Sequence, residues 1–247
     1  GVSSGLGILE IAKHAKNSGI KVLLSGDGAD ECFGGYSWYS HLENNILPTF
    51  QETKEPISFQ NFGIPIESRL ENINSYSNYK KAWAWHYYAA EIEKSKLFNN
   101  DLIENTHSSL EWFSYYGKVN KWSARDFIHQ DRDFYFPNEM LKKVDRMTMA
   151  HSIESRAPFA SAKVLDFAKK IPLKYLIKDG QLKWVLRQAF KDILPSHIIE
   201  RPKHGFNVPI DHWLKNEWND LFCHTFSNES AIFKMNIINE KSFLFAK

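Results

Sequence analysis

A short apolar run, Ile20 to Leu24, broken only by Lys21, ends in a loop of small and acidic residues, Ser25-Gly26-Asp27-Gly28-Ala29-Asp30-Glu31. No other feature limits the fold as much. A run of that length fits a buried strand of a parallel sheet, because such strands are covered on both faces and show no polar alternation. Ile8, Ile11, Ala12 and Ala15 precede it at the i, i+3, i+4, i+7 spacing of an amphipathic helix. Gly19 stands where that helix would stop. A helix followed closely by a strand is half of a βαβ unit. In open α/β sheets ligands bind just outside the carboxyl ends of the strands, which is where this loop falls.

The loop's residue types suggest a ligand. Gly26 and Gly28 allow a tight turn and a close approach of backbone N–H groups. A helix beginning at Ala29 would favour anions at its N-terminus. Asp27, Asp30 and Glu31 would repel a bare phosphate, however. Mg²⁺ resolves the conflict, since it binds carboxylate and phosphate oxygens together and keeps several waters. An acidic turn with helix-capping aspartates would use the same residues, and the loop alone does not separate the two.

At 247 residues the chain suits one large domain or two small ones, at about 100–200 residues per domain. Its hydrophobic fraction of 43% is ample for a buried core. The net charge of +2 argues against a nucleic-acid-binding module, which would carry a basic excess. Cys32 and Cys223 make no disulfide framework and read as two small buried thiols of a reduced, cytoplasmic protein. No basic start leads into an apolar stretch, and no apolar run is long enough for a membrane span.

Beyond the loop, few further strand candidates occur. Residues 44–81 are polar and punctuated by Pro48, Pro56, Gly63 and Pro65. Residues 82–136 hold Trp83, Trp85, Tyr87, Tyr88, Trp112, Phe113, Tyr115, Tyr116, Phe134, Tyr135 and Phe136, which read as packing rather than a base-stacking platform, because few basic residues interleave with them. Asn138 is expected to cap a helix running through Met140, Leu141, Val144 and Met147. A second helix carries Val164, Leu165, Phe167 and Ala168 and stops at Pro172; a third carries Leu182, Val185, Leu186, Ala189, Phe190 and Ile193 and stops at Pro195. A fourth starts at Pro209 and buries Ile210, Trp213 and Leu214. The chain thus divides into a sheet edge with its loop (1–43), a variable aromatic-rich segment (44–136) and a helical region (137–247).

Four ordered motifs resemble those of the asparagine synthetases. Leu24 to Glu31 with Gly34-Gly35-Tyr36 is similar to that family's LSG[ED]G-x-DE-x-x-GGY signature. Lys143-Val144-Asp145-Arg146-Met147-Thr148-Met149-Ala150, continuing through Glu154, Arg156, Pro158 and Phe159, resembles its D-[RK]-x-[ST]-M-A and E-x-R-x-P-F segment. Lys183, Leu186, Arg187 and Phe190 follow its K-x-x-L-R-x-x-F helix. Arg201-Pro202-Lys203-His204-Gly205-Phe206 with Pro209 follows R-x-K-x-G-F-x-x-P.

The resemblance implies an α/β fold of the ATP-pyrophosphatase (adenine nucleotide alpha hydrolase-like) type, here a truncated parallel sheet with a large, mostly helical C-terminal region. It implies a carbon–nitrogen ligase of asparagine biosynthesis. ATP activates a carboxylate, aspartate in the family, as an acyl-adenylate with loss of pyrophosphate. Ammonia from glutamine then forms the amide. By position, Ser25, Gly26 and Gly28 would touch the nucleotide, Asp27 would lie by the adenylate, Asp30 would bind Mg²⁺ of the pyrophosphate, and Lys183 would approach the reacting centre. Arg146, Arg156, Arg201 and Lys203 are candidate phosphate contacts, although for Asp145, Glu154 and Arg156 a role in tying helices together is favoured. His151 and His204 are further candidate bases that the chemistry does not require.

The sequence also departs from the family. Its pyrophosphate-binding S-G-G-x-D-S loop is absent, and the nearest echo, Ser3-Ser4-Gly5-Leu6-Gly7, lacks the aspartate and follows no strand. The glutaminase domain, with its leading catalytic Cys, is absent too. The missing N-terminal synthetase half and glutaminase are therefore expected partners, and the chain alone is expected to be inactive. Two other readings fit the motifs: an amidotransferase for another acceptor, such as a surface-polysaccharide sugar acid or a peptide, and a non-catalytic partner-binding subunit or remnant.

Overall fold

The computed structural model describes residues 4–36, 39, 71, 75–76, 91–112, 123–202, 205–206, 208–227 and 229–239. The chain folds as two compact units, one built from 1–49 and 123–208, the other from 50–122 and 209–247. The first unit opens with α1 (Ser4–Asn17), β1 (Val22–Leu24) and α2 (Ala29–Phe33). The chain passes into the second unit for α3 (Glu91–Leu97), α4 (Asn100–Glu104) and α5 (Ser109–Trp112). It returns to the first for α6 (Ala124–Gln130), a π-helix (Asp131–Leu141), α7 (Lys142–Met149), β2 (Glu154–Arg156), a 3-10 turn (Pro158–Ala160), α8 (Ala162–Lys170), α9 (Leu173–Leu176), α10 (Trp184–Phe190) and α11 (Ser196–Ile199). The second unit closes with α12 (Ile210–Lys215), α13 (Asn219–Thr225) and α14 (Ala231–Lys234).

Parallel pairing sets the first unit. β1 lies beside β2 in parallel, with Val22 opposite Glu154, Leu23 opposite Ser155 and Leu24 opposite Arg156. A parallel pair needs a crossover, and the long helical excursion supplies it. α1 stops as its sequence suggests: Gly19 has φ +74° and the Ile20 N–H bonds back to the Ala15 carbonyl at 2.9 Å, a Schellman-type ending. Ala12, Ala15 and Ile153 form a buried cluster onto which Leu23 packs.

The buried-strand expectation needs correction. Val22 is 39% exposed and Leu24 77%. Among the described residues β1 hydrogen-bonds to β2 alone, and only Leu23 meets the helical core. The partner strand had no apolar signature, since Glu-Ser-Arg owes its extended form to pairing rather than to local propensity.

The helix at Pro137 also differs from expectation. Asn138 does not cap it; the helix begins at Ala124, where the Ser123 hydroxyl oxygen accepts from the Asp126 N–H. The chain then runs without a break through the π-helix into α7, with helical dihedrals at Gln130 and Lys142. Proline removes a donor and crowds the preceding turn, and a π-wound segment relieves that crowding inside a helix. Asn138 instead donates from Nδ2 to the Phe134 carbonyl at 2.9 Å.

The remaining helices end near the expected prolines, with α8 before Pro172, α10 before Pro195 and α12 starting after Pro209. Ile210, Trp213 and Leu214 are half-buried rather than buried. Cys32 is buried as expected, but Cys223 lies exposed on α13, whose neighbour Leu221 is also turned outward. In the second unit Phe98 and Ile238 form an antiparallel bridge, and Asn99 donates from Nδ2 to the Asn236 and Ile238 carbonyls at 2.7 and 3.1 Å. Trp83, Trp85, Tyr87, Tyr88, Phe113, Tyr115 and Tyr116 lie outside the described residues, as do Lys203 and His204. No helix of the described residues is long and apolar enough to cross a membrane.

Candidate functional site

The loop leaves β1 under tight steric control. The Ser25 N–H donates to the Arg156 carbonyl at 2.9 Å, which extends the parallel ladder by one residue. The Ser25 Oγ is buried and, among the described residues, has no hydrogen-bond partner. Among the described residues, a Cβ added at Gly26 would meet nothing within 4 Å, which leaves open space beside the backbone there. Gly28 has φ +95°, and a Cβ there would come within 2.7 Å of the Phe136 ring. The position therefore excludes side chains twice, by dihedral and by contact.

α2 starts at Ala29, as its sequence suggests, but extends only to Phe33 and carries Asp30 and Glu31 in its first turn. Those acids offset the positive end of so short a helix. Gly34 ends it with φ +69°, packed against Leu176, Ile177 and Ile128. At Gly35 a Cβ would collide with the Asp30 carboxylate and approach its Cα to 2.8 Å.

Asp30 and Lys183 come together. Lys183 Nζ donates to Asp30 Oδ1 at 2.9 Å, with the two side chains 23% and 19% exposed. Lys183 sits at the N-cap of α10 in the left-handed region, φ +54°, and its N–H bonds to the Gly34 carbonyl at 3.3 Å. Two motifs distant in sequence thus meet beside the loop. The Arg187 guanidinium then ties the next segment to α10, donating from Nε to Leu182 at 3.0 Å, from Nη2 to the Arg201 carbonyl at 3.1 Å and from Nη1 to the Ile199 carbonyl.

Sequence reasoning missed the acids buried behind the loop. Glu31 is 1% exposed and accepts from the Tyr36 hydroxyl at 2.6 Å. Burial pushes its carboxyl up to about 7; the Tyr36 bond opposes this and the Asp30 and Asp131 charges add to it. The Tyr39 hydroxyl donates to Asp131, also fully buried. Tyr36 makes edge contacts with Tyr39 and Tyr135, and Phe136 covers Gly28, so these two aromatics serve as packing. The adjacent acids of the loop motif were the available signal for Glu31; Asp131 carried none.

Asp27 is half-buried. It is the strongest of the carboxylates acting on Lys143, whose own pKa is lowered by burial. Arg156 pairs with Glu154 at 2.8 Å within the exposed strand β2, so this pair ties no helices together. Arg146 and Arg201 are exposed, and His151 is half-buried. Among the described residues no group of three or more His, Cys, Asp or Glu side chains gathers as a metal cage.

A family model described as asparagine synthase matches residues 1–244. Asparagine synthetase [glutamine-hydrolyzing] 1 of Bacillus subtilis is 33% identical over 228 residues, covering 85% of this chain and 34% of the relative. A putative asparagine synthetase of Mycobacterium tuberculosis is 30% identical, covering 83% of this chain and 32% of its own length. The amidase chry2 of Gibberella zeae is 23% identical over 85% of this chain. The chain spans about a third of the length of the curated relatives it matches. No solved structure matches it at a significant level.

Proposed function

The chain belongs to the asparagine synthase family, and on that premise we propose that its loop and the side chains around it form part of an ATP-dependent amide-forming site. A carboxylate substrate, aspartate in the first instance, is activated as an acyl-adenylate with release of pyrophosphate. Ammonia drawn from glutamine then attacks the acyl carbon to give an amide and AMP. The setting is cytoplasmic amino-acid biosynthesis. The observation that carries this proposal is the Lys183–Asp30 pair at 2.9 Å, which joins two separate family motifs at the carboxyl end of a parallel strand.

The local chemistry fits a nucleotide. The unpartnered, buried Ser25 Oγ is available to a ligand, and the open space at Gly26 lets one approach the backbone. Gly28 holds the turn that brings Asp27 alongside. Lys183 supplies a fixed positive charge for the negative charge that develops on the attacked carbonyl and the leaving phosphate. Asp30 would hold Mg²⁺, which would neutralise the departing pyrophosphate. A single carboxylate suits that ion, whose other ligands are commonly waters and substrate phosphates. The S-G-G-x-D-S loop and the glutaminase are not among these residues, so the chain by itself binds nucleotide without turnover.

Calorimetric titration of the purified chain with AMP tests this. Saturable binding is expected; no binding up to about 10 mM, where even a weak Kd of 1 mM would show, overturns the nucleotide assignment. With ATP, Mg²⁺, aspartate and ammonia the chain alone should release no pyrophosphate, and release would refute its dependence on further parts. The similarity to the amidase chry2 favours a second reading, a different acceptor. Comparing aspartate with other carboxylates in pyrophosphate release by the complete enzyme separates the two.

A further inference from the structure

Lys183 holds a backbone conformation that lysine seldom adopts. Its φ is +54°, although the residue before a helix ordinarily has extended dihedrals. A side chain in the left-handed region is strained, and such strain persists only where the surroundings over-determine it. Here the peptide joining Leu182 to Lys183 is gripped on both edges. Its N–H donates to the Gly34 carbonyl at 3.3 Å, and its carbonyl accepts from Arg187 Nε at 3.0 Å. Returning φ to the ordinary helical value would turn Cβ by about 120° around the N–Cα bond and carry the side chain away from Asp30.

Arg187 can serve as one half of that grip because it is fixed elsewhere. It is half-buried on α10, with Nη2 donating to the Arg201 carbonyl at 3.1 Å and Nη1 to the Ile199 carbonyl. All three of its nitrogens thus bond backbone carbonyls. A planar guanidinium can bridge carbonyls from 182, 199 and 201 in one rigid fork, whereas an ammonium offers a single nitrogen on a flexible stem. We propose that Arg187 is a positioning residue of this site: it clamps the Leu182 carbonyl and so keeps Lys183 in the left-handed conformation from which its ammonium meets Asp30. The inference rests on the reading of Lys183 as the fixed positive charge of the reaction, and it names what fixes it.

The test labels the chain with ¹³Cε-lysine, the Lys183 signal being assigned by its loss in Lys183→Arg. Asp30→Asn marks where that signal falls when the pair is broken. In Arg187→Gln the Lys183 signal should move to that broken position. In Arg201→Gln, which keeps the bonded carbonyl, it should stay where the parent has it. A folded Arg187→Gln chain that is less stable, yet keeps the parent's Lys183 signal, makes Arg187 a strut between α10 and residues 199–201 and overturns the inference. So does a signal that Asp30→Asn leaves unmoved, since there is then no pair to position. A second measurement needs no substitution. In the parent, the Arg187 Nε–H should exchange with solvent about tenfold more slowly than that of the exposed Arg201. Equal rates overturn the clamp even if Arg187→Gln does not fold. None of these readouts requires nucleotide. A clamp that fails in a chain that binds AMP leaves the nucleotide reading standing; a parent chain that binds no AMP overturns that reading and, with it, the role given to the clamp.

Discussion

At its carboxyl end β1 runs into a loop where Lys183 matches Asp30 and glycines hold close approaches; along its flank the same strand leaves Val22 and Leu24 exposed. Two ion pairs mark these regions. Lys183–Asp30 and Arg156–Glu154 have nearly equal lengths, 2.9 and 2.8 Å. The first pair is 23% and 19% exposed, the second 63% and 58%. Distance therefore says little about what each contributes. Water screens the pair on β2, whereas the pair beside the loop sits where an unmatched charge is costly.

The sharpest way to break this contrast is at Gly28. Gly28→Ala would force a side chain into φ +95° and into the Phe136 ring. A loss of about 3 kcal/mol in urea denaturation is expected, the sum of left-handed strain and overpacking. A loss below about 1 kcal/mol would mean that Phe136 gives way freely and that the loop is not sterically fixed.

Glu31 comes next. Its pKa is raised from 4.5 to about 7, so the folded chain holds the proton more tightly than the unfolded one. Its contribution is then full below pH 4.5, falls as pH rises to about 7, and changes no further above that. The total loss is roughly 3 kcal/mol. In divalent-free buffer, Glu31→Gln should flatten this part of the Tm–pH profile; an unchanged slope would place its origin elsewhere.

Lys183→Met should cost about 1–2 kcal/mol, less than a fully buried pair because both partners are partly wet. Asp30→Asn should cost a similar amount, and the double substitution less than the sum of the two, as measured by a double-mutant cycle in urea. Strict additivity would show that the pair is not coupled. At the small end, Glu154→Gln should leave the denaturation midpoint where it was. A clear shift would erase the distinction between the two regions.

The parts of this molecule legible in the sequence are those set within one or two turns of chain. The stop of α1 at Gly19, the start of α2 at Ala29 and the prolines beyond α8 and α10 act through local dihedrals and missing donors. The loop's glycines and acids were legible as a site for the same reason. What escaped depended on distant neighbours. β2 is extended because β1 lies beside it, and Glu154-Ser155-Arg156 gives no sign of that alone. Pro137 reads as a helix start unless the turn is free to widen, which is settled by what α6 and α7 pack against. The exposure of Val22 and Leu24 likewise follows from which elements cover β1, and an apolar run does not encode that.

From Ala124 to Met149 the helix is unbroken, and it presents Asp131 to Tyr39, Phe136 to Gly28 and Lys143 to Ser4 of α1. These contacts act like marks on one screw thread. Each residue added to or removed from an α-helix turns everything beyond it by about 100°. The widened turn at Pro137 sets the phase between the first mark and the last. The helix can thus accept many exchanges of side chain and still serve the loop, but a change in its residue count beyond Pro137 would rotate Lys143 away from Ser4 while leaving Asp131 where it was. Length, rather than composition, is what this helix must keep.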